Sequence, residues 1–197
     1  MNARLIAILV TAAFAALIAG SPAPRAQALQ INPFSQFYGN VARAAKQNDA
    51  GLVRSLIGNG GYPDETDETM RAGMHYAAIS GNLQIIAILI KGGAKLDPKE
   101  KLGNTPLHFA ADLNQVDVVK LLLDAGATVD PENKNGMTPL MVAANRGNIE
   151  IVQALLAKGA SVTKTDYTGR DAAGWATESH RPAVVQAIKR AQSAKKS

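Results

Sequence analysis

The sequence contains no cysteine among its 197 residues. This absence excludes disulfide bonds, thiolate metal sites and a cysteine nucleophile, so packing alone must stabilise the fold. Aromatic residues are also scarce, at 5%, whereas hydrophobic residues make up 47% of the chain. A composition rich in Ala, Leu, Ile and Val but poor in aromatics favours closely packed short helices over a sandwich of sheets. We therefore expect one mostly helical domain.

Charged residues are absent from the apolar segment 5–19, which follows Arg4 and precedes Ala26-Gln27-Ala28. A basic start, a short apolar stretch and an A-x-A motif are typical of a secretory signal peptide. The apolar stretch is also shorter than a membrane-spanning helix requires. We expect residues 1–28 to be a signal peptide that is cleaved after Ala28, with the remaining chain exported to the periplasm. A retained single-span anchor is the alternative.

The net charge gives no indication of nucleic-acid binding. Removal of residues 1–28 takes two cations and no acid from the net charge of +5, which leaves +3. The remaining Lys and Arg residues are dispersed among acids and form no continuous basic patch. We expect neither a nucleic-acid partner nor a membrane span in the processed chain.

The chain after the N-terminal segment repeats itself every 33 residues. Four apolar columns keep this interval without an insertion or deletion: Ala44, Ala77, Ala110, Ala143 and Ala176; Leu52, Ile85, Val118, Ile151 and Val184; Val53, Ile86, Val119, Val152 and Val185; Leu56, Leu89, Leu122, Leu155 and Ile188. A unit of this length cannot bury its apolar face alone, so neighbouring units must stack. The sequence therefore predicts a solenoid of five units.

Each unit carries the start and stop signals of two helices, which are clearest in the third. Thr105 is suited to an N-cap and Pro106 to the first position of a helix that ends near Asn114. The apolar residues of segment 118–123 follow a helical period and precede Gly126, which is suited to the end of a second helix. The sequence predicts ten short helices in five pairs.

These motifs resemble the ankyrin repeat family. The resemblance rests on G-x-T-P-L-H-x-A-A at 103–111, G-x-T-P-L-x-x-A-A at 136–144 and L-L-x-x-G-A at 122–127 and 155–160. It implies an all-α solenoid of five helix-turn-helix repeats with hairpin-like loops, within a domain at 29–192 that precedes a basic tail at 193–197. The expected repeats are about 34–66, 67–99, 100–132, 133–165 and 166–192.

The first and last repeats depart from the family pattern in ways that suit caps. The T-P-L-H segment is lost in the first repeat, where Phe34, Phe37 and Tyr38 precede Val41, and we interpret these three residues as an aromatic lid on the N-terminal face. Lys189 occupies a column that is apolar in the other repeats. Asp171 is suited to the N-cap of the first helix of the fifth repeat. A charged residue at that outward position ends the stack.

No pattern in the sequence predicts catalysis or a cofactor. His75 and His108 lie one repeat apart, but the resemblance implies a scaffold role in which each bonds to an inter-repeat loop. The acidic segment 64–68 lacks the spacing of a calcium loop, and we interpret it as a solvated loop tip. No G-x-S-x-G elbow is present, so we expect a protein that is not an enzyme and uses no cofactor or metal.

The resemblance implies that partners bind the concave side, on the loop tips and the exposed positions of the first helices. By register those positions are Glu68, Thr69, Arg71, Lys101, Leu102, Asn104, Asp112, Leu113, Lys134, Asn135, Met137, Asn145, Arg146, Tyr167, Thr168 and Arg170. Leu102, Leu113, Met137 and Tyr167 are large apolar residues expected to be exposed, with Lys134, Arg146 and Arg170 around them.

We therefore expect a monomer that binds another periplasmic protein. An accessory factor that binds a small molecule or a cell-wall component in the same groove is the alternative.

Overall fold

The computed structural model describes residues 40–194. The signal peptide and its cleavage site, the aromatic residues Phe34, Phe37 and Tyr38, and the last three residues lie outside the described residues, so the predictions made for them stay predictions.

Ten short helices follow one another along the described chain. They are α1 (Val41–Lys46), α2 (Ala50–Gly58), α3 (Gly73–Ser80), α4 (Leu83–Lys91), α5 (Pro106–Asp112), α6 (Val116–Asp124), α7 (Pro139–Arg146), α8 (Ile149–Ala157), α9 (Ala172–Glu178) and α10 (Pro182–Ala194). Residues 40–194 contain no β-strand, only an isolated bridge between Thr66 and Ala72. The predicted all-α stack is confirmed.

The helices pack as two rows. The odd-numbered helices each contact the next odd-numbered helix, and the even-numbered helices form a second row behind them. The two helices of each pair also pack against each other. This arrangement places the first helix of every repeat on one side of the stack and the second helix on the other.

The turn inside each pair has a left-handed residue at the position that the sequence indicated. Asn48, Asn114 and His180 have φ of 59°, 57° and 57°, and Gly81 and Gly147 occupy the same position in the other two pairs. Asn and Gly reach this region at little cost, which lets the chain reverse within two or three residues. Tight reversal keeps the two rows in contact.

The core runs the length of the stack between the two rows. Ala110 and Ala111 are fully buried, as are the equivalent alanine pairs of the neighbouring repeats, and their small size allows adjacent first helices to approach closely. Leu122 is also fully buried, whereas Leu52, at the N-terminal end, is 37% exposed. Lys189 is exposed on α10, as predicted for a terminal repeat.

Two buried histidines join successive repeats. The Nδ1 atom of His75 accepts from the backbone N–H of Ala72 at 3.1 Å, so its proton lies on Nε2, which donates to the Asn104 carbonyl oxygen at 3.1 Å. His108 repeats the arrangement with Thr105 and Met137. Burial lowers the pKa of His75, and it lowers the pKa of His108 to about 4. Their neutral rings serve the scaffold role that the resemblance implied.

Candidate binding surface

Four fingertip loops, residues 67–71, 100–104, 133–137 and 166–170, project from the stack ahead of helices α3, α5, α7 and α9. Each is a tight loop closed by a backbone hydrogen bond from its first residue to its fifth, such as that from the Glu100 N–H to the Asn104 carbonyl at 3.1 Å. The fourth residue of each loop has a positive φ: Gly103, Gly136 and Gly169 in three loops, and Met70, at 62°, in the first.

The first side chain of each loop holds that loop in shape. The Asp166 carboxylate accepts from the N–H groups of Thr168 and Arg170 at 2.9 and 3.0 Å, and from the indole Nε1 of Trp175 at 3.0 Å. Asp67 accepts in the same way from Thr69, Arg71 and the Tyr76 hydroxyl. Burial alone raises the pKa of each carboxyl, but these donors outweigh it and lower both pKa values.

The acidic segment 64–68 is therefore only partly a solvated tip, contrary to the sequence interpretation. Asp64 accepts from the backbone N–H of Lys95 at 2.8 Å, and Asp67 is engaged as described above, whereas Glu68 is exposed. The Asp residues structure their loops because their short side chains reach backbone N–H groups. The sequence interpretation considered only the charge of the segment and missed these caps.

The fingertip loops are joined to one another in a row. The Lys101 N–H donates to the Thr69 carbonyl at 3.3 Å, and the Lys134 N–H donates to the Leu102 carbonyl at 2.9 Å. The Tyr167 N–H donates to the Asn135 carbonyl at 3.1 Å. These bonds hold the loops at a fixed spacing, so their exposed side chains form one continuous edge.

Leu102 and Tyr167 extend from this edge into solvent, with 64% and 75% of their surface exposed. The Tyr167 ring also covers the backbone of Gly136, where an added Cβ would lie 2.8 Å from the ring. Leu113, at the end of α5, is 46% exposed, although it lies at the turn between two helices and not on a fingertip loop. Met137 differs from the prediction of exposure because its side chain is half-buried against the core.

A central groove of about 250 Å³ lies between the fingertip loops and the first helices of repeats three and four. Phe109, Met137 and Val142 supply its apolar surface. Its polar lining consists of Asn104, His108, Asp112, Asn133 and Asn145. Asn133 donates from its amide nitrogen to the Asn104 side-chain oxygen at 2.8 Å, so two of the amides are fixed relative to each other.

Two of the three cations predicted to surround the apolar residues are already paired. Arg146 contacts Asp112 at 2.6 Å, which raises the pKa of Arg146. Arg170 pairs with Glu178 and stacks on Trp175, with its guanidinium carbon 4.3 Å from the ring centre. Lys134 is exposed and forms no ion pair within residues 40–194, and the same holds for Lys101 in the preceding loop. These two unpaired lysines lie on the central fingertip loops.

The remaining predicted positions divide into exposed and half-buried groups. Asn135 is exposed at the tip of its loop, and Asn104 is half-buried with its N–H groups directed to Glu100. Asn145 accepts a hydrogen bond from the Ser179 hydroxyl. The polar positions of the surface are thus partly held by scaffold contacts.

Sequence reasoning missed a column of large residues on the first helices of the repeats. Tyr76, Phe109, Val142 and Trp175 lie 33 residues apart, nine residues after the first residue of each fingertip loop. Phe109 and Val142 line the central groove, while the polar atoms of Tyr76 and Trp175 bond to Asp67 and Asp166. The 33-residue interval would have identified them, but the family motif leaves this position unspecified.

A second groove, of about 390 Å³, lies between α1 and the first fingertip loop. Asn40, Arg43, Lys46, Asp67 and Tyr76 are among the residues that line it. The Lys46 ammonium lies 5.6 Å from the centre of the Tyr76 ring, and both side chains line this groove. This groove is more polar than the central one and was not predicted.

The described part of the chain shows neither a metal-binding cluster nor a membrane-spanning helix. Residues 40–194 bring together no group of three His, Asp or Glu side chains that would hold a metal ion. None of the helices α1–α10 is long and apolar enough to cross a membrane.

The comparisons with known proteins agree with the two-row stack. A family model described as ankyrin repeats (3 copies) matches the chain at residues 41–133 and again at 127–196, which together are most of the chain. No curated protein matched the sequence significantly. Ankyrin repeats indicate a protein–protein interaction module, and proteins of this kind are generally scaffolds without catalysis. The chain belongs to the ankyrin repeat family.

Proposed function

We propose that this protein binds a partner protein on its concave side, through the fingertip loops and first helices of repeats three to five. The single observation that carries the proposal is the exposure of Leu102 and Tyr167 on a row of loops whose backbones are bonded to one another. Large apolar side chains that a rigid edge holds in solvent lose little conformational entropy when a partner covers them. They are suited to be anchors of an interface.

The surface around these residues has the composition of an interface. The central groove adds an apolar floor from Phe109, Met137 and Val142, and Lys101 and Lys134 add charges at its rim. An apolar centre with a charged, solvated rim is the usual arrangement in protein complexes. We propose that the protein acts in the periplasm, which rests on the N-terminal signal pattern of residues 1–28.

The alternative, a small molecule or cell-wall component in the same groove, has one observation in its favour. Asn104, Asn133 and Asn145 place three amide groups beside the Phe109 ring. The groove is about 250 Å³, however, and pockets for small molecules usually enclose about 300–1,000 Å³. A protein that also covers the fingertips gains more contact area, and we therefore favour it.

Site-specific photocrosslinking tests the surface directly. A benzophenone amino acid replaces Tyr167 in one protein and the exposed residue Gln153, on α8 in the second row, in a matched control. Illumination of expressing cells is followed by fractionation and mass spectrometry. We expect a defined crosslinked protein from position 167 and not from position 153. Crosslinking at 153 alone would place binding on the second row.

Localisation has its own test. N-terminal sequencing of the protein from the periplasmic fraction should give Leu29 as the first residue. Recovery of a chain that begins with Met1 in the cytoplasm would contradict both the cleavage and the periplasmic partner.

A further inference from the structure

Arg71, on the first fingertip loop, is a cation whose side-chain hydrogen bonding is incomplete. Its side chain is half-buried, and its Nε atom is buried without a hydrogen-bond partner. It forms no ion pair within residues 40–194. A buried N–H without an acceptor destabilises the folded protein. The hydrogen bonding of this guanidinium is therefore incomplete, and a carboxylate that pairs with the group would add a charge-assisted bond.

The guanidinium is nevertheless held in one place. Its carbon lies 4.9 Å from the centre of the Phe109 ring, which fixes the group by a cation–π contact. The Phe109 ring is itself held by His75, whose ring meets it at 5.8 Å and 84°. A charge held by two rigid neighbours loses little entropy when a ligand pairs with it.

The nearby carboxylates accept from other donors, and Glu100 interacts with the Arg71 charge without forming an ion pair with it. Asp67 accepts from Thr69, Arg71 N–H and Tyr76, and Glu100 accepts from the N–H groups of Asn104. Arg170, the equivalent arginine three repeats later, stacks on Trp175 of its own repeat and pairs with Glu178. Arg71 instead stacks on Phe109 of the next repeat, and the position equivalent to Glu178 is Ile79, so that repeat supplies no matching carboxylate.

We propose that the partner's bound segment is acidic, with a carboxylate that pairs with Arg71 and a large apolar side chain that enters the central groove between Phe109 and Val142. This inference rests on the proposed concave binding surface and names the chemistry of its partner. The side chains of other repeats support it, because Asp112 is already neutralised by Arg146, Lys134 leaves its fingertip loop positive, and the exposed Lys101 offsets Glu100 in the loop between. Among the acids of the four fingertip loops, Glu68 alone is exposed.

The spacing of the two contacts limits the sequence of the segment. Phe109 stacks with Arg71 and also lines the groove, and Val142 belongs to the first helix of the next repeat. Neighbouring helices pack roughly 8–10 Å apart, and an extended chain advances about 3.3–3.6 Å per residue. The acid and the apolar residue should therefore lie two or three positions apart.

Selection from a phage-displayed library of random twelve-residue peptides on the purified protein tests this chemistry. We expect enriched peptides that share Asp or Glu two or three positions from Leu, Ile, Phe or Met. Synthetic copies should bind Arg71→Gln at least about tenfold more weakly, because a charge-assisted bond is lost. Arg71→Lys should bind almost as weakly, because lysine keeps the charge but loses the planar stacked fork. Arg54→Gln, an exposed arginine on α2, is the matched control and should bind normally.

A double-mutant cycle separates direct pairing from an indirect effect. Replacing the peptide's acid by its amide should weaken binding to the parent protein about tenfold, yet have little effect on Arg71→Gln. Unfolding curves of the variants should match the parent.

The inference would be overturned if the effects of Arg71→Gln and of the peptide's amide were additive in the double-mutant cycle. It would also be overturned if the selection enriched peptides without an acid or enriched no peptide. If Met137→Ala weakens binding while Arg71→Gln does not, the concave surface stands and the acidic partner does not. If neither change weakens binding of the selected peptides, the concave surface fails as well.

Discussion

His108 donates a hydrogen bond from Nε2 to the Met137 carbonyl oxygen at 3.0 Å, across the boundary between repeats three and four. This bond and the one that Nδ1 accepts from the Thr105 N–H at 3.1 Å together require a neutral ring. Protonation would place a second proton on Nδ1, where the ring must accept, and would put a charge in a buried site. The stability of this buried arrangement therefore depends on pH.

We expect the free energy of unfolding to fall as the pH is lowered from about 6.5 to about 4. Burial lowers the folded pKa of His108 to about 4, while the unfolded chain takes up the proton near 6.5. The unfolded state thus binds more protons in this window, and the difference corresponds to about 3 kcal/mol. Urea unfolding at several pH values measures it.

The variant His108→Gln should have a smaller pH dependence between 6.5 and 4, although its stability at pH 7 is lower. His180→Asn is the matched control, because His180 is exposed at a left-handed turn that asparagine also tolerates. An unchanged slope in His108→Gln would refute the assignment. The loss of carboxylate hydrogen bonds at Asp67 and Asp166 belongs to lower pH, since both pKa values are already lowered in the folded protein.

Met70→Gly should stabilise the protein by about 0.5–1 kcal/mol. Met70 has a φ of 62° at the loop position that glycine fills in the other three fingertips. The left-handed conformation costs a non-glycine residue roughly 1–2 kcal/mol. Glycine avoids this cost but loses more backbone entropy on folding, which offsets part of the gain. Urea unfolding measures the difference.

The matched comparison for Met70→Gly is Gly103→Ala, in the next fingertip loop. This change should destabilise, because φ is 79° there and an added Cβ would lie 3.0 Å from the backbone nitrogen of Lys134. A loss of stability in Met70→Gly would show that the methionine side chain contributes more than its backbone costs.

Leu122→Ala should lower the free energy of unfolding by about 2–5 kcal/mol, because the side chain is fully buried and leaves a cavity. Leu52→Ala removes the same atoms from a site that is 37% exposed and should cost less than about 1 kcal/mol. Equal losses from the two changes would contradict the difference in burial between the first and third repeats.

The fold could be predicted because each signal is local and repeats five times. Pro106 begins a helix, Asn114 reverses the chain, and Leu122 is buried, all as the 33-residue period indicates. The side-chain contacts on the concave side could not be predicted in this way. Phe109 touches Arg71 from the preceding repeat, and a partner in another repeat does not show in the local sequence.

The same limit explains the two corrections on this surface. The family register places Met137 at a position expected to be exposed, but its side chain packs against the core. Arg146 and Arg170 were predicted as charges around the apolar residues, and their partners Asp112 and Glu178 lie 34 and eight residues away in sequence. The pairing of Arg146 depends on the neighbouring repeat, which the local sequence does not show.

That pairing changes which cations should steer a partner toward the concave side. Free charges raise association rates through long-range attraction, whereas paired charges contribute little beyond their own contact. Lys101→Ala combined with Lys134→Ala should therefore slow association of a peptide from the selection by about tenfold at low salt. At roughly 0.3 M salt the difference should largely disappear, because the screening length falls well below 10 Å.

The double variant Asp112→Ala, Arg146→Ala removes an equal number of charged residues without changing the net charge, and its association rate should stay near that of the parent protein. Stopped-flow fluorescence with a labelled peptide at several salt concentrations measures all three proteins. A stronger effect from the Asp112 and Arg146 pair than from the two lysines would mean that the partner breaks that ion pair, and that steering arises at the groove and not at the fingertips.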